Sequence, residues 1–296
     1  MTLHPASRTL LAQLEADDDL SLPADLDVIR SRARDAAATA EKIGLDWVED
    51  VDADGVPCRL YRPRAGAPVA LYVHGGGWVL HDLETHDAFC RYLAHRTGWA
   101  LLAVDYRRAP EHPYPAPLDD VQTAAAWLRS HGREHRVDAS FLPAVGDSSG
   151  ANLIAGLCVR DPRALDFQVL VYPPVDRRAE LPPELANAAL DAATMDWFWD
   201  AYAPGELADL PDVSVLGATN LAAHPPAYVL TNEHDMLRDQ AEAYAARLAD
   251  AGVEVVAQRA LGMVHSFWRQ PQLFEASRSA VVMIGALLDT YRSLTR

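Results

Sequence analysis

From residue 46 onward, short runs that are apolar nearly throughout alternate with segments of helical spacing, and few architectures accommodate that pattern. Asp46–Asp52 and Val56–Arg62 flank Ala53-Asp54-Gly55, which reads as a hairpin turn, and Pro57 suggests that the second run is an edge strand. Further strands are expected at Val69–Val73, Trp99–Asp105, Phe141–Val145, Phe167–Tyr172, Ala227–Thr231 and Glu254–Gln258, with helices between them. Strands this apolar are buried on both faces, so the pattern predicts an α/β fold with a mostly parallel sheet covered by helices on each side. In such sheets the ligand site lies beyond the carboxyl ends of the strands.

The 296 residues are 50% hydrophobic, enough for a sizeable core. Residues 1–45 have amphipathic helical spacing, and Arg177 to Asp212 breaks the alternation with prolines, acidic residues and an aromatic cluster. These two stretches are expected to form a helical lid. The division is then 1–45 as the N-terminal part of the cap, 46–176 as the first part of the core, 177–212 as the cap insertion and 213–296 as the second part of the core.

A net charge of −16 disfavours nucleic acid and anionic lipid as partners. Lys42 is the sole lysine, so neither a Walker phosphate loop nor a Ser-x-x-Lys pair exists. Cys58, Cys90 and Cys158 are widely spaced and odd in number, which suits a reducing compartment and a cytoplasmic location. The N-terminus lacks a basic start followed by an apolar run, and the longest apolar stretch, Ala280 to Leu288, is too short to span a bilayer.

Gly146-Asp147-Ser148-Ser149-Gly150 falls between an expected strand and an expected helix. That context marks a turn so tight that glycine is needed on both sides, with the Ser148 hydroxyl thrust out at a helix N-terminus. His74-Gly75-Gly76-Gly77 follows the third strand; its glycines let backbone N–H groups approach a reacting carbonyl. Gly75 and Gly76 are the expected oxyanion donors, together with the N–H of Ser149, while Gly77 gives room and His74 holds the loop. A nucleophilic serine requires a base oriented by a carboxylate, in the chain order Ser, Asp or Glu, His. His224, His234 and His265 follow Ser148, and His265 alone sits after a later strand with a carboxylate placed before it. The expected triad is therefore Ser148, Asp235 and His265, with Glu233 and Asp239 as lesser acid candidates. Trp197, Phe198, Trp199, Tyr202 and Trp268 either line an acyl or alcohol pocket or form lid core; Trp78, Asp147, Trp199 and Trp268 are the substrate-facing candidates.

His131-Gly132-Arg133-Glu134-His135 matches an inverted zinc-protease pattern by letter, but Gly132 should end the helix that such a motif needs. His81 and His86 have no third ligand in view.

These motifs resemble the hormone-sensitive-lipase-like branch of the α/β-hydrolase esterases. The resemblance rests on His74-Gly75-Gly76-Gly77-Trp78, Tyr106-Arg107-Arg108-Ala109-Pro110-Glu111-His112-Pro113, Gly146 to Leu153, Asp235 to Asp239 and Gly262-Met263-Val264-His265. It implies the α/β-hydrolase fold with an eight-stranded sheet, a helical cap, and hydrolysis of small, short- to medium-chain carboxylic esters through an acyl-enzyme, with no metal and no organic cofactor. Glu111 and His112 resemble a structural signature. The chain departs from the branch at Ser149, Gly150 and Ala151, where Ala-Gly-Gly is usual, at His81, where a small residue is usual, and at Met236, where proline is usual. An amidase, deacetylase or acyltransferase would share the same acyl-enzyme. Plant gibberellin receptors resemble the branch but lack the histidine that His265 supplies here. A homodimer is left open by the sequence.

Overall fold

A computed structural model describes residues 2–16, 22–23, 25–187 and 189–295. Nine strands build one mixed sheet: β1 (Trp47–Ala53), β2 (Val56–Arg62), β3 (Ala67–Val73), β4 (Ala100–Val104), β5 (Val137–Asp138), β6 (Pro143–Asp147), β7 (Phe167–Val171), β8 (Ala227–His234) and β9 (Val255–Val264). Eight of them form the continuous path β1-β2-β4-β3-β6-β7-β8-β9; β5 is only two residues long and pairs with the start of β3. β2 runs antiparallel to both β1 and β4, and every pairing from β4 to β9 is parallel. This order, mostly parallel with one antiparallel hairpin at an edge, is the one expected of the α/β-hydrolase fold.

Pro57 does not mark an edge, because β2 lies between β1 and β4. Its carbonyl accepts from Asp105, just past the last β2–β4 pair, Cys58 with Val104, so the missing N–H interrupts no ladder bond. β9 runs longer than its apolar run suggests. A bulge between Asn232 and His234 lets β8 follow it as far as the pair His234–Val264.

Five helices cover the two faces: α3 (Leu83–Thr97), α4 (Ala116–His131), α5 (Ser149–Arg160), α7 (Arg238–Asp250) and α8 (Glu275–Leu294). Alternation along β3 shows how they divide. Val69, Leu71 and Val73 face a core shared with Leu118 and Val121 of α4, Leu153 of α5 and Leu248 of α7. Ala70 and Tyr72 face the opposite core, shared with Phe89 and Leu93 of α3 and Ile284 and Leu288 of α8. Three more helices are α1 (Pro5–Ala16), α2 (Leu26–Ala38) and α6 (Ala192–Tyr202). α1 and α6 bring Leu10, Leu14, Met195 and Phe198 to a cavity at the carboxyl end of the sheet. α2 buries no residue of its own and is fastened by polar contacts. Arg30 donates to the carbonyls of Val79 and Ala109 and pairs with Glu111, and Arg34 pairs with Asp82. Residues 1, 17–21, 24 and 188, which the expected cap segments include, lie outside the described residues.

The path from β6 to α5 is where the fold is tightest. A Cβ on Gly150 would stand 2.0 Å from the Val73 carbonyl oxygen and 2.6 Å from that of His74. Both obstacles are backbone, so neither can step aside. Gly150→Ala is expected to destabilise the protein by about 3 kcal/mol or more in urea unfolding. A midpoint within about 0.5 kcal/mol of wild type would show that the helix can retreat from the strand after all.

Candidate active site

The residue after β6 turns the chain through a conformation that side chains rarely adopt: Ser148 has φ +52° and ψ −124°. Its N–H donates to the Val171 carbonyl of the neighbouring strand, which anchors the turn, and α5 begins at once. The hydroxyl is thereby held out beyond the sheet. His265 Nε2 lies 3.1 Å from Ser148 Oγ, and His265 Nδ1 lies 2.7 Å from Asp235 Oδ2. Asp235 is buried and fully engaged: Oδ2 also accepts from Asn232 Nδ2 at 2.8 Å, and Oδ1 accepts from the Leu237 N–H at 3.0 Å. An acceptor on Asp235 fixes the proton of His265 on Nδ1 and leaves Nε2 as the acceptor facing Ser148.

The other candidates are elsewhere. Glu233 accepts the Gly262 N–H at 2.7 Å and so shapes the loop that carries His265, while Asp239 pairs with Arg238. His224 is buried beside Tyr244. His131 ends α4 against the Trp127 carbonyl, and His135 lies past Gly132 against Glu49, so the two do not share a helix face.

A cavity of about 320 Å³ opens over Ser148 and His265. Gly76, Gly77, Trp78, Asp147 and Ser149 line it. Gly75 does not: its N–H donates to Asp147 Oδ1 at 3.2 Å, which takes it away from its expected place as an oxyanion donor. The same contact explains why residue 75 must be glycine, since a Cβ there would meet Asp147 Oδ2 at 2.7 Å. Gly76 and Gly77 have φ of +122° and +61°, and a Cβ on Gly77 would overlap the Phe198 ring at 2.4 Å. His74 stacks on Tyr106 with ring centroids 4.3 Å apart, and Tyr106 Oη donates to the His74 carbonyl, so His74 holds the loop.

Two of the expected substrate-facing aromatics are core. Trp199 packs behind the cavity on Trp78 at 4.5 Å, and Trp268 is enclosed by Tyr72 and Phe89. Neither lines the cavity, because successive side chains of a helical turn diverge: Phe198 and Arg269, their neighbours in sequence, face it instead. Leu10, Leu14, Leu22, Leu190 and Met195 complete the apolar wall. Nothing in the sequence marked Arg269 as a cavity residue.

Beside the glycine loop, the buried Asp147, His74 and His86 form a polar cluster with the half-buried His81 and Arg269. Burial pushes all three imidazoles down, His74 to about 4 and the other two well below their ordinary value. Burial raises Asp147, while Arg269, Tyr72 and Gly75 act in the opposite sense.

These residues form an elbow serine, an imidazole and a carboxylate in the order Ser–Asp–His at the carboxyl end of an α/β sheet, which is the arrangement of α/β-hydrolases. A profile of the alpha/beta hydrolase fold matches residues 70–269, and the chain belongs to that family, in its hormone-sensitive-lipase-like esterase branch. It is 38% identical to Carboxylesterase NlhH of Mycobacterium tuberculosis over 82% of each chain. It is 36% identical to Ethyl acetate hydrolase of Pseudomonas putida, over 81% of this chain and 80% of that one. The crystallised hyperthermophilic esterase of Pyrobaculum calidifontis superposes with a TM-score of 0.91 at 34% identity, covering 98% of this chain and 99% of its own.

The neutral histidines predict how stability responds to acid. A histidine whose folded value is depressed takes up its proton more readily in the unfolded chain, so folding loses free energy as pH falls below about 6.5. Each contributes up to about 1.4 kcal/mol per pH unit, down to about 4 for His74 and His224. The raised carboxyls of Asp105 and Asp147 act oppositely, but four depressed histidines outnumber them. The urea midpoint is expected to fall between pH 7 and pH 5; a flat profile over that interval would contradict the neutral cluster.

Proposed function

We propose that the protein is a serine carboxylesterase acting on small, uncharged esters with short to medium acyl chains, with Ser148 as nucleophile, His265 as general base and acid, and Asp235 as its orienting carboxylate. The continuous hydrogen-bonded line from Asp235 through His265 to Ser148, opening into the cavity, carries this reading. Relatives named carboxylesterase and ethyl acetate hydrolase support it.

The chemistry follows from the geometry. Ser148 Oγ attacks the ester carbonyl as His265 Nε2 takes its proton. The carbonyl oxygen becomes an oxyanion, received by the backbone N–H groups of Gly76, Gly77 and Ser149, with Gly75 supporting the loop through Asp147 rather than donating. The protonated His265 is stabilised by Asp235 and gives its proton to the departing alkoxide, leaving Ser148 acylated. Water then attacks the acyl group with His265 again as base, and the acid leaves. The described residues of 1–45 and 177–212, which bring Leu10, Leu14, Leu190, Met195 and Phe198 to the cavity, act as its cap. The three buried free thiols support a reducing, cytoplasmic setting. Among the described residues no helix is long and apolar enough to cross a membrane.

Ser148→Ala is expected to keep the circular dichroism spectrum and lower kcat on p-nitrophenyl butyrate by about 10⁴-fold or more. A variant within about tenfold of wild type would remove Ser148 from the mechanism. An organophosphate should form a stoichiometric adduct on Ser148 by peptide mass mapping, and an adduct on any other residue would falsify the assignment.

A further inference from the structure

The cavity has two chemistries. Leu14, Leu190, Met195 and Phe198 give it an apolar wall, and His81 and Arg269, both beside His86, make a polar corner. The corner is built. Thr85 Oγ1 gives its proton to the Asp82 carbonyl, so it can only accept at His86 Nδ1, 3.0 Å away. That leaves His86 Nε2 as an acceptor for Arg269 Nη1 at 3.2 Å. Arg269 Nε sits 3.4 Å from Asp147 Oδ2, and about a fifth of the Arg269 side chain remains open. His81 has a left-handed backbone, φ +57°, and lies against Gly76: a Cβ there would meet the His81 ring at 3.1 Å. Its Nδ1 is buried and meets no partner.

The charge of this corner is already balanced. Arg269 is offset by Asp147, and His81 is kept neutral by burial and by Arg269. A substrate carboxylate would set a second buried anion beside Asp147, in a protein of net charge −16. A neutral oxygen brings no such repulsion and offers a partner to His81 Nδ1 and to the open part of Arg269, which an all-carbon chain does not. We infer that His81 and Arg269 form a polar subsite that receives a neutral hydrogen-bond-accepting oxygen, an ether, keto or hydroxyl oxygen, on one arm of the ester. The inference rests on the esterase reading above and narrows it from alkyl esters in general to oxygenated ones.

The test uses pairs of esters that differ only by CH₂ against O: p-nitrophenyl butyrate with p-nitrophenyl methoxyacetate for the acyl arm, and butyl acetate with 2-methoxyethyl acetate for the alcohol arm. Intrinsic reactivity cancels when each ether-to-alkyl ratio of kcat/KM is compared between variant and wild type. Arg269→Met is expected to lower that ratio roughly tenfold on one arm, and His81→Phe to lower it on the same arm. Ratios unchanged within about twofold on both arms in both variants would overturn the subsite. If a variant loses turnover altogether, the same ratio is read as dissociation constants of the paired esters in a Ser148→Ala background, with and without Arg269→Met; equal ratios there also overturn it. A stronger preference for mono-p-nitrophenyl succinate than for the methoxyacetate would replace the neutral-oxygen assignment with an anion site. Absence of hydrolysis of every ester by the wild-type protein would instead defeat the esterase reading, while the binding ratios still judge the subsite.

Discussion

The turn at Ser148 depends on a single close approach, that of Gly150 to the carbonyls of Val73 and His74. Because the first turn of α5 can lie directly on the end of β3, the chain reverses from strand to helix within one residue. A side chain at position 150 would lift the helix and relax the positive φ that projects the serine hydroxyl. The strain at Ser148 is sustained by its surroundings: the Ser148 N–H bonded to Val171, Gly146 packed against the Val73 carbonyl, and a helix whose residues Ser149 to Cys158 are all buried. Site and core are thus one construction.

Around that turn, the polar groups are sorted by burial rather than by sequence proximity. Asp235 and His265 come from loops after β8 and β9, and adjacency of those parallel strands brings them together. Asp147, adjacent to Ser148, ties down Gly75, so one strand end serves both the serine turn and the loop opposite it. The Arg269 guanidinium, with the Tyr72 hydroxyl and the Gly75 N–H as donors, lets an ionisable aspartate sit in the interior without a net charge. α2 joins the same scheme from outside, since Arg30 grips the Val79 carbonyl next to the glycine loop.

Much of this was legible in the chain, and for a physical reason. Doubly buried strands must be apolar throughout, so their positions are written in composition, and tight turns must be glycine, so 75–77, 146 and 150 are written as well. Chain order singled out His265 and Asp235 because each follows a different strand. Contact direction was not legible. Trp199 and Trp268 read as wall residues yet are core, whereas Phe198 and Arg269, one position away, face the cavity. A rotation of about 100° per residue in helical segments separates those outcomes, and spacing without a known packing face cannot fix the phase.

What the sequence alone determined, then, is the set of covalent opportunities: which strands can be buried, where the backbone can bend sharply, and which serine, histidine and carboxylate occur in workable order. Tertiary structure decided how hydrogen bonds are shared among them. Gly75 is spent on Asp147 because two loops from distant parts of the chain meet there, and Arg269 reaches the cavity because Asp147 and His86 hold its guanidinium from opposite elements. A donor has only as many bonds as it has protons, and which partner claims each one is settled only when the chain has closed around it.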